Sequence, residues 1–185
     1  MRSSALAVAL LLAVGGAAGP ARAKVFQSRQ EAVATAFPDA ERVAEKSFAL
    51  DDAQVHAVES LARARLDSRL VTLYTGLVGD RVVGYALIEV HTVRTLPEAF
   101  LVVISPEGEV RDLRMLAFYE PPEYLPTARW LEQFHDEKLS PDLLLQRRIH
   151  GIVGSTLSAR AVTGGVRRAL ALYEVLVKGA GPPGP

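Results

Sequence analysis

The stretch Gly154-Ser155-Thr156-Leu157-Ser158 places a turn of small residues directly before a long amphipathic segment. That segment predicts a helix from about Ser158 to Lys178, so a threonine hydroxyl lies where the helix begins. Helix N-termini carry unpaired backbone N–H groups and a partial positive charge, which makes them suited to holding a phosphate. A simpler interpretation is an ordinary N-cap supplied by Thr156 or Ser158. These five residues alone leave both interpretations open.

The predicted helix has one apolar stripe and one polar face. The stripe consists of Val162, Val166, Ala169, Leu170, Tyr173, Leu176 and Val177, and the polar face of Arg160, Arg167 and Arg168. Gly164-Gly165 inside the helix costs about 1 kcal/mol per glycine relative to alanine. We therefore expect another backbone or a cofactor to approach the helix closely at these glycines.

In the segments before this helix, apolar and polar residues alternate as they do in β-strands. Residues 70–77 and 81–93 flank one turn, and residues 99–105 and 109–119 flank a second. Four strands joined by short turns predict an antiparallel sheet of about four or more strands packed with helices, an α+β fold. Shorter elements are also predicted: a helix opened by a capping box at 28–31, a strand at 43–50, a helix after Asp51-Asp52, a helix at 127–134 and an element beginning at Ser140.

The two ends of the chain differ in composition from its centre. Arg2, an apolar stretch over 5–18 and Ala21-Arg22-Ala23 are typical of a secretory signal peptide, and the stretch is shorter than the ~20 residues of a membrane span. We predict cleavage after Ala23 and a periplasmic protein with no transmembrane segment in the mature chain. The predicted organisation is a signal peptide (1–23), an N-terminal helical extension (24–68), the main domain (69–178) and a disordered tail (179–185).

Composition and missing motifs exclude several functions. The 21 basic and 21 acidic residues balance, so nucleic acid is not an expected partner. No cysteine is present, which excludes thiolate-bound iron–sulfur clusters and c-type haem attachment, so a redox role needs an organic cofactor. The four histidines are far apart and no G-x-S-x-G or G-K-[ST] motif occurs, so we predict neither a metal site nor a catalytic nucleophile.

Three segments between about residues 81 and 177 resemble, in the right order, the FMN-binding domain family. Residues 154–158 are similar to its Gly-Ala-Thr-x-Ser element, residues 118–122 (Phe-Tyr-Glu-Pro-Pro) to its His-x-Glu-Thr-Pro loop, and residues 130–134 (Trp-Leu-Glu-Gln-Phe) to its Phe-Leu-x-Gln-Phe helix. The family includes the flavin-bearing G subunit of the Rnf complex and the C subunit of the sodium-pumping NADH:quinone reductase.

The resemblance implies an exported FMN-binding electron-transfer protein. A flavin transferase would join FMN through a phosphoester to Thr156, and the partner would be a redox protein or a membrane electron-transport complex. The cofactor-binding residues implied or considered are Thr156, Gly154, Ser155, Leu157, Ser158, Glu120, Tyr124 and Arg94. Arg94 could bind the flavin or lie on the surface, and Phe118, Tyr124 and Trp130 could supply walls beside the ring. No acid–base pair is evident, which favours an electron-transfer protein over a stand-alone oxidoreductase.

Three positions depart from the family pattern. His150 stands where the family usually has Asp, Val153 where it has Ser or Thr, and Ser155 where it has Ala. These departures keep a second function open, a flavin-free periplasmic interaction or assembly module of a redox complex.

Overall fold

The computed structural model of the chain describes residues 24–93 and 95–179 and shows an α+β fold. Its strands form one antiparallel sheet in the order β1-β6-β5-β4-β3-β2. The strands are β1 (Lys24–Val25), β2 (Arg42–Ala49), β3 (Leu70–Val78), β4 (Arg81–Thr92), β5 (Pro97–Ile104) and β6 (Val110–Phe118). The helices are α1 (Arg29–Ala34), α2 (Asp52–Ala62), α3 (Ala128–Leu131) and α4 (Thr156–Tyr173), with 3-10 turns at Pro122–Tyr124 and Glu132–Phe134. The predicted fold class is confirmed.

Both faces of the sheet are covered, which explains the apolar run in β5. Phe100, Val102 and Ile104 pack in the larger cluster with α2, α3 and α4, whereas Leu101 and Val103 pack in the smaller cluster with α1. A strand buried on both sides reads as a continuous hydrophobic segment instead of an alternating one.

Residues 24–68 contribute strands as well as helices to this architecture. Both outer strands, β1 and β2, come from this region, and α2 packs along α4. Reciprocal capping boxes begin both of its helices: Ser28 with Glu31 at α1, and Asp51 with Gln54 at α2. The capping box predicted from residues 28–31 is therefore confirmed.

Helix α4 departs from its predicted polar face. Arg167 and Arg168 were expected in solvent, but only 2% and 8% of their surfaces are exposed, so that prediction is wrong. The reason is that α4 is enclosed by the sheet on one side and by α2 on another. Arg168 Nε donates to Glu89 Oε2 on β4 (2.9 Å), and Arg167 donates to backbone carbonyls. Arg160 alone of the three is exposed.

The ends of α4 and the segment before it also differ from expectation. The helix begins at Thr156, two residues earlier than predicted, and continues as a π-helical turn over Glu174–Lys178. Residues 140–143, where a short element of unspecified type was predicted, form a turn closed by a hydrogen bond from Leu143 N to Ser140 O (3.3 Å). The carbonyls of this turn are used as acceptors for Arg167, because Nη1 donates to Ser140 O (2.6 Å) and Leu143 O (3.0 Å).

Candidate functional site

The turn before α4 is held without a side-chain cap. Gly154 has φ +80°, a left-handed conformation that glycine adopts at little cost, and Ser155 N donates to Ile152 O (3.1 Å). Ser155 is the N-cap residue, yet its hydroxyl makes no capping hydrogen bond. The interpretation in which Thr156 or Ser158 caps the helix is therefore wrong, because Thr156 is the first helical residue and Ser158 lies within the first turn.

The three residues that open α4 differ sharply in exposure. Thr156 is exposed and Leu157 is 41% exposed, whereas Ser158 is buried at 2%. The first amides of an α-helix have no carbonyl one turn before them to bond. The earliest amide of this turn with an intrahelical bond is that of Ala159, which donates to Ser155 O (3.0 Å). Thr156 thus presents its hydroxyl to solvent beside unpaired N–H groups at the positive end of an 18-residue helix.

The Glu-Pro-Pro loop contacts this turn directly. The buried Ser155 hydroxyl donates to Glu123 O (3.2 Å), which fixes the loop against the start of α4. Tyr124 is half-buried in the same loop. Phe118, considered as a wall beside a flavin ring, is only 2% exposed and belongs to the interior of the protein.

Glu120 has a structural position in this loop. It is 5% exposed, and its Oε1 accepts hydrogen bonds from Thr95 N and Leu96 N, both at 3.0 Å. These bonds fasten the β4–β5 connection to the end of β6. Arg94, the remaining sequence-predicted site residue, lies in that connection but outside the described residues.

The helix α3 and its 3-10 extension hold the chain that leads into the turn. Trp130 Nε1 donates to His150 O (2.7 Å), and Gln133 Oε1 accepts from His150 N (2.8 Å). Only the backbone of residue 150 is used, and the His150 side chain is exposed. Trp130 itself is 8% exposed and packs edge-on against Phe134 (ring centroids 5.4 Å apart), so it is a core residue.

The three segments that carry the family resemblance therefore meet in space. Glu123, the residue directly after the 118–122 segment, contacts the turn at Ser155, and residues 130–134 contact the chain before the turn at His150. Sequence separation does not require this convergence, since the contacting residues are 17 or more positions apart.

A buried polar cluster between α4 and strands β4 and β5 was not predicted from the sequence. Glu89 on β4 is paired with Arg168, and His91 Nε2 lies 2.8 Å from Oε1 of the fully buried Glu98 on β5. Burial raises the pKa of Glu89, and the charges of Arg168 and His91 act against that rise. The sequence does contain a pattern that indicates this cluster. Glu89 and His91 are two residues apart, so in a strand they lie on the same face among mostly apolar residues.

Comparison with known proteins gives a structural likeness without a sequence match. No family model matches the chain, and no curated protein matches it by sequence. The crystal structure of NqrC from Shewanella oneidensis aligns with 77% of this chain and 85% of its own, with a TM-score of 0.54 and 10% identity. At that identity the comparison shows a shared fold. Within residues 24–93 and 95–179, no helix has the length and apolarity needed to cross a membrane.

Proposed function

We propose that this protein is an exported FMN-binding electron-transfer protein whose flavin is attached through a phosphoester to Thr156. The observation that carries the proposal is the exposed Thr156 hydroxyl at the uncapped start of α4. Glu123, directly after the 118–122 segment, contacts the turn at Ser155, and the 130–134 segment holds the chain at His150, four residues before the turn. The fold shared with NqrC supports it, because the C subunit of the sodium-pumping NADH:quinone reductase belongs to the family that the sequence resembles.

The start of α4 fits a flavin phosphate in chemistry and in access. A phosphoester on Thr156 would keep negative charge beside the free amides of the first turn, where the helix dipole is favourable. The hydroxyl lies in solvent, so a transferase can reach it. Ser158, buried in the same turn, is not accessible in this way. When bound, FMN would supply the redox chemistry, and the protein would position it and set its exposure to partners.

The departures from the family pattern fall where the fold tolerates them. Position 150 contributes its backbone N–H and carbonyl to the site while its side chain lies in solvent, so histidine there leaves the turn intact. Val153 is fully exposed. Ser155 adds a hydrogen bond to Glu123 O. Of the three, the exposed His150 and Val153 would alter what a transferase or a partner meets at the surface.

The proposal extends to export and partners. A signal peptide over residues 1–23, cleaved after Ala23, would deliver the domain to the periplasm, and a membrane electron-transport complex or a redox protein there would exchange electrons with it. N-terminal sequencing of the exported protein tests this part: a chain beginning at Lys24 supports it, and a chain that still begins at Met1 in the membrane fraction contradicts it.

Flavin binding itself is tested by spectroscopy. The full chain is co-expressed with a flavin transferase, exported, purified without denaturation and examined for flavin absorbance, before and after acid precipitation. We expect absorbance that remains with the precipitated protein, and its loss from the precipitate of Thr156→Val. A colourless native protein would refute the flavin function and favour the flavin-free interaction module, for which the exposed Val153 is the supporting feature.

A further inference from the structure

A cleft with several arginines lies between α2 and α4, away from the turn at 154–158 where flavin attachment is proposed. Its volume is about 420 Å³, and Arg63, Arg160, Arg167 and Arg168 are among its lining residues. We call it the arginine cleft. Neither Thr156 nor any residue of the 118–124 loop lines it. The cleft is therefore a feature that the proposed function does not use.

Arg167 places an uncompensated positive charge beneath the arginine cleft. Its guanidinium donates to four backbone carbonyls: Ala62 O (2.6 Å), Leu61 O (2.9 Å), Ser140 O (2.6 Å) and Leu143 O (3.0 Å). The side chain is held rigidly at the C-terminal end of α2, and carbonyls do not neutralise its charge. Burial, and to a lesser degree the nearby Arg63, lower the pKa of Arg167.

Arg63 and Arg160 stand at the rim with their charges available. Both are exposed, and neither forms an ion pair with any residue that the structure describes. Arg63 directly follows α2, where a left-handed backbone (φ 53°) ends the helix. Arg160 lies one helical turn after Thr156 on α4. Two free guanidinium groups from different elements thus face the same cleft.

The acidic groups near the cleft are mostly engaged elsewhere. Glu89 is paired with Arg168 (2.7 Å), and Oε1 of the fully buried Glu98 lies 2.8 Å from His91 Nε2. Arg168 and His91 line the cleft, whereas these two carboxylates do not. Asp67 is the carboxylate that lines the cleft, and it is 3.9 Å from Arg168. Three guanidinium charges (Arg63, Arg160 and Arg167) are left facing one carboxylate, so an anion entering the cleft meets net positive charge at reduced dielectric.

We propose that the arginine cleft binds a small anion carrying at least two negative charges on phosphate or carboxylate groups. Guanidinium groups present several donors in a planar fork that matches both kinds of oxyanion, which is why Arg63 and Arg160 suit such a ligand. The volume accommodates a small molecule, and apolar residues such as Ala64, Leu144 and Gly164 complete the wall. The site is a second binding function, independent of flavin attachment.

Calorimetric titration of the full chain tests the site. Inorganic phosphate and succinate serve as probes, with sodium chloride at matched ionic strength as the reference. We expect saturable binding of at least one probe above the chloride reference. Stronger binding of phosphate would assign a phosphoryl ligand, and stronger binding of succinate a carboxylate ligand.

Matched variants separate the cleft from general charge and from the flavin turn. Arg63→Gln and Arg160→Gln should each raise the Kd at least about tenfold, the effect of losing one charge-assisted hydrogen bond. Arg65→Gln removes an exposed charge from the same segment but outside the lining, and it should leave the Kd unchanged, as should Thr156→Ala. No binding above chloride, or equal losses in Arg65→Gln and Arg63→Gln, would overturn the proposal.

Discussion

The two neighbouring glycines of α4 should respond to alanine with opposite signs. At Gly165 a Cβ atom would lie 2.4 Å from Cζ of Phe100, whereas at Gly164 its nearest neighbours would be Arg168 Nη1 at 3.8 Å and Ala64 Cβ at 3.9 Å. The first distance is far inside van der Waals contact and the second is ordinary contact. Gly164→Ala is therefore a matched control for Gly165→Ala.

The magnitudes follow from helix propensity and packing. Each substitution gains about 1 kcal/mol because alanine favours the helix over glycine. At Gly165 the new methyl group meets, at 2.4 Å, a fully buried Phe100 that also packs against His91, so overpacking costs about 2–3 kcal/mol, the upper part of its usual range. We expect Gly164→Ala to raise the free energy of unfolding by about 1 kcal/mol and Gly165→Ala to lower it by about 1–2 kcal/mol.

Urea unfolding of the full chain, followed by far-UV circular dichroism, measures both changes. The two variants should move the midpoint in opposite directions with the same m-value, and thermal midpoints should shift by about 2–4 °C per kcal/mol. Stabilisation by both substitutions would refute the close contact between α4 and β5. Destabilisation by both to the same extent would refute the assignment of ordinary van der Waals contact at Gly164.

Three further predictions concern named contacts. Arg167→Met should lower the unfolding free energy by about 3 kcal/mol or more, because buried carbonyls lose their donors, whereas Arg160→Met should change it by less than about 0.5 kcal/mol in the same urea titration. Hydrogen bonds from Ser28 lower the pKa of Glu31, so they stabilise the fold fully above the unfolded pKa of 4.5, and this stabilisation is lost as pH falls through the folded pKa. The loss of unfolding free energy caused by Ser28→Ala should therefore become smaller below the folded pKa of Glu31. A loss that does not change with pH would contradict this linkage. Trp130→Phe removes the indole hydrogen bond to His150 O, in the chain before the turn at 154–158. It should lower the unfolding free energy by about 1 kcal/mol and speed amide exchange over residues 150–155. Unchanged exchange there would show that the bond does not hold the turn.

The sheet could be predicted from sequence because its signals are local. Turn residues between segments of alternating apolar and polar residues predicted both hairpins, β3–β4 and β5–β6. The capping box at Ser28 predicted the start of α1. The strand predicted at 43–50 is β2, one of the outer strands. The pairing of β1 with β6 and of β2 with β3 joins residues distant in sequence, so no local pattern indicates where the outer strands lie in the sheet.

The candidate site could be predicted only in part. The family resemblance selected Thr156, and the structure shows why its neighbours matter: Ser155 and His150 receive contacts from residues 17 or more positions away. The burial of Arg167 and Arg168 could not be read from helical periodicity, because arginine counts as polar whichever partners surround it. Carbonyls of α2 accept hydrogen bonds from Arg167, and a carboxylate of β4 pairs with Arg168; tertiary packing sets both.

The intact mass of the exported protein after co-expression with a flavin transferase tests the central claim most directly. An ester between the Thr156 hydroxyl and the flavin phosphate adds to the chain the mass of one FMN less one water, so we predict a gain of that size. The gain should persist in Thr72→Val, a threonine on β3, and should be absent from Thr156→Val. An unmodified mass in the parent chain, or the same gain in Thr156→Val, would contradict attachment at Thr156.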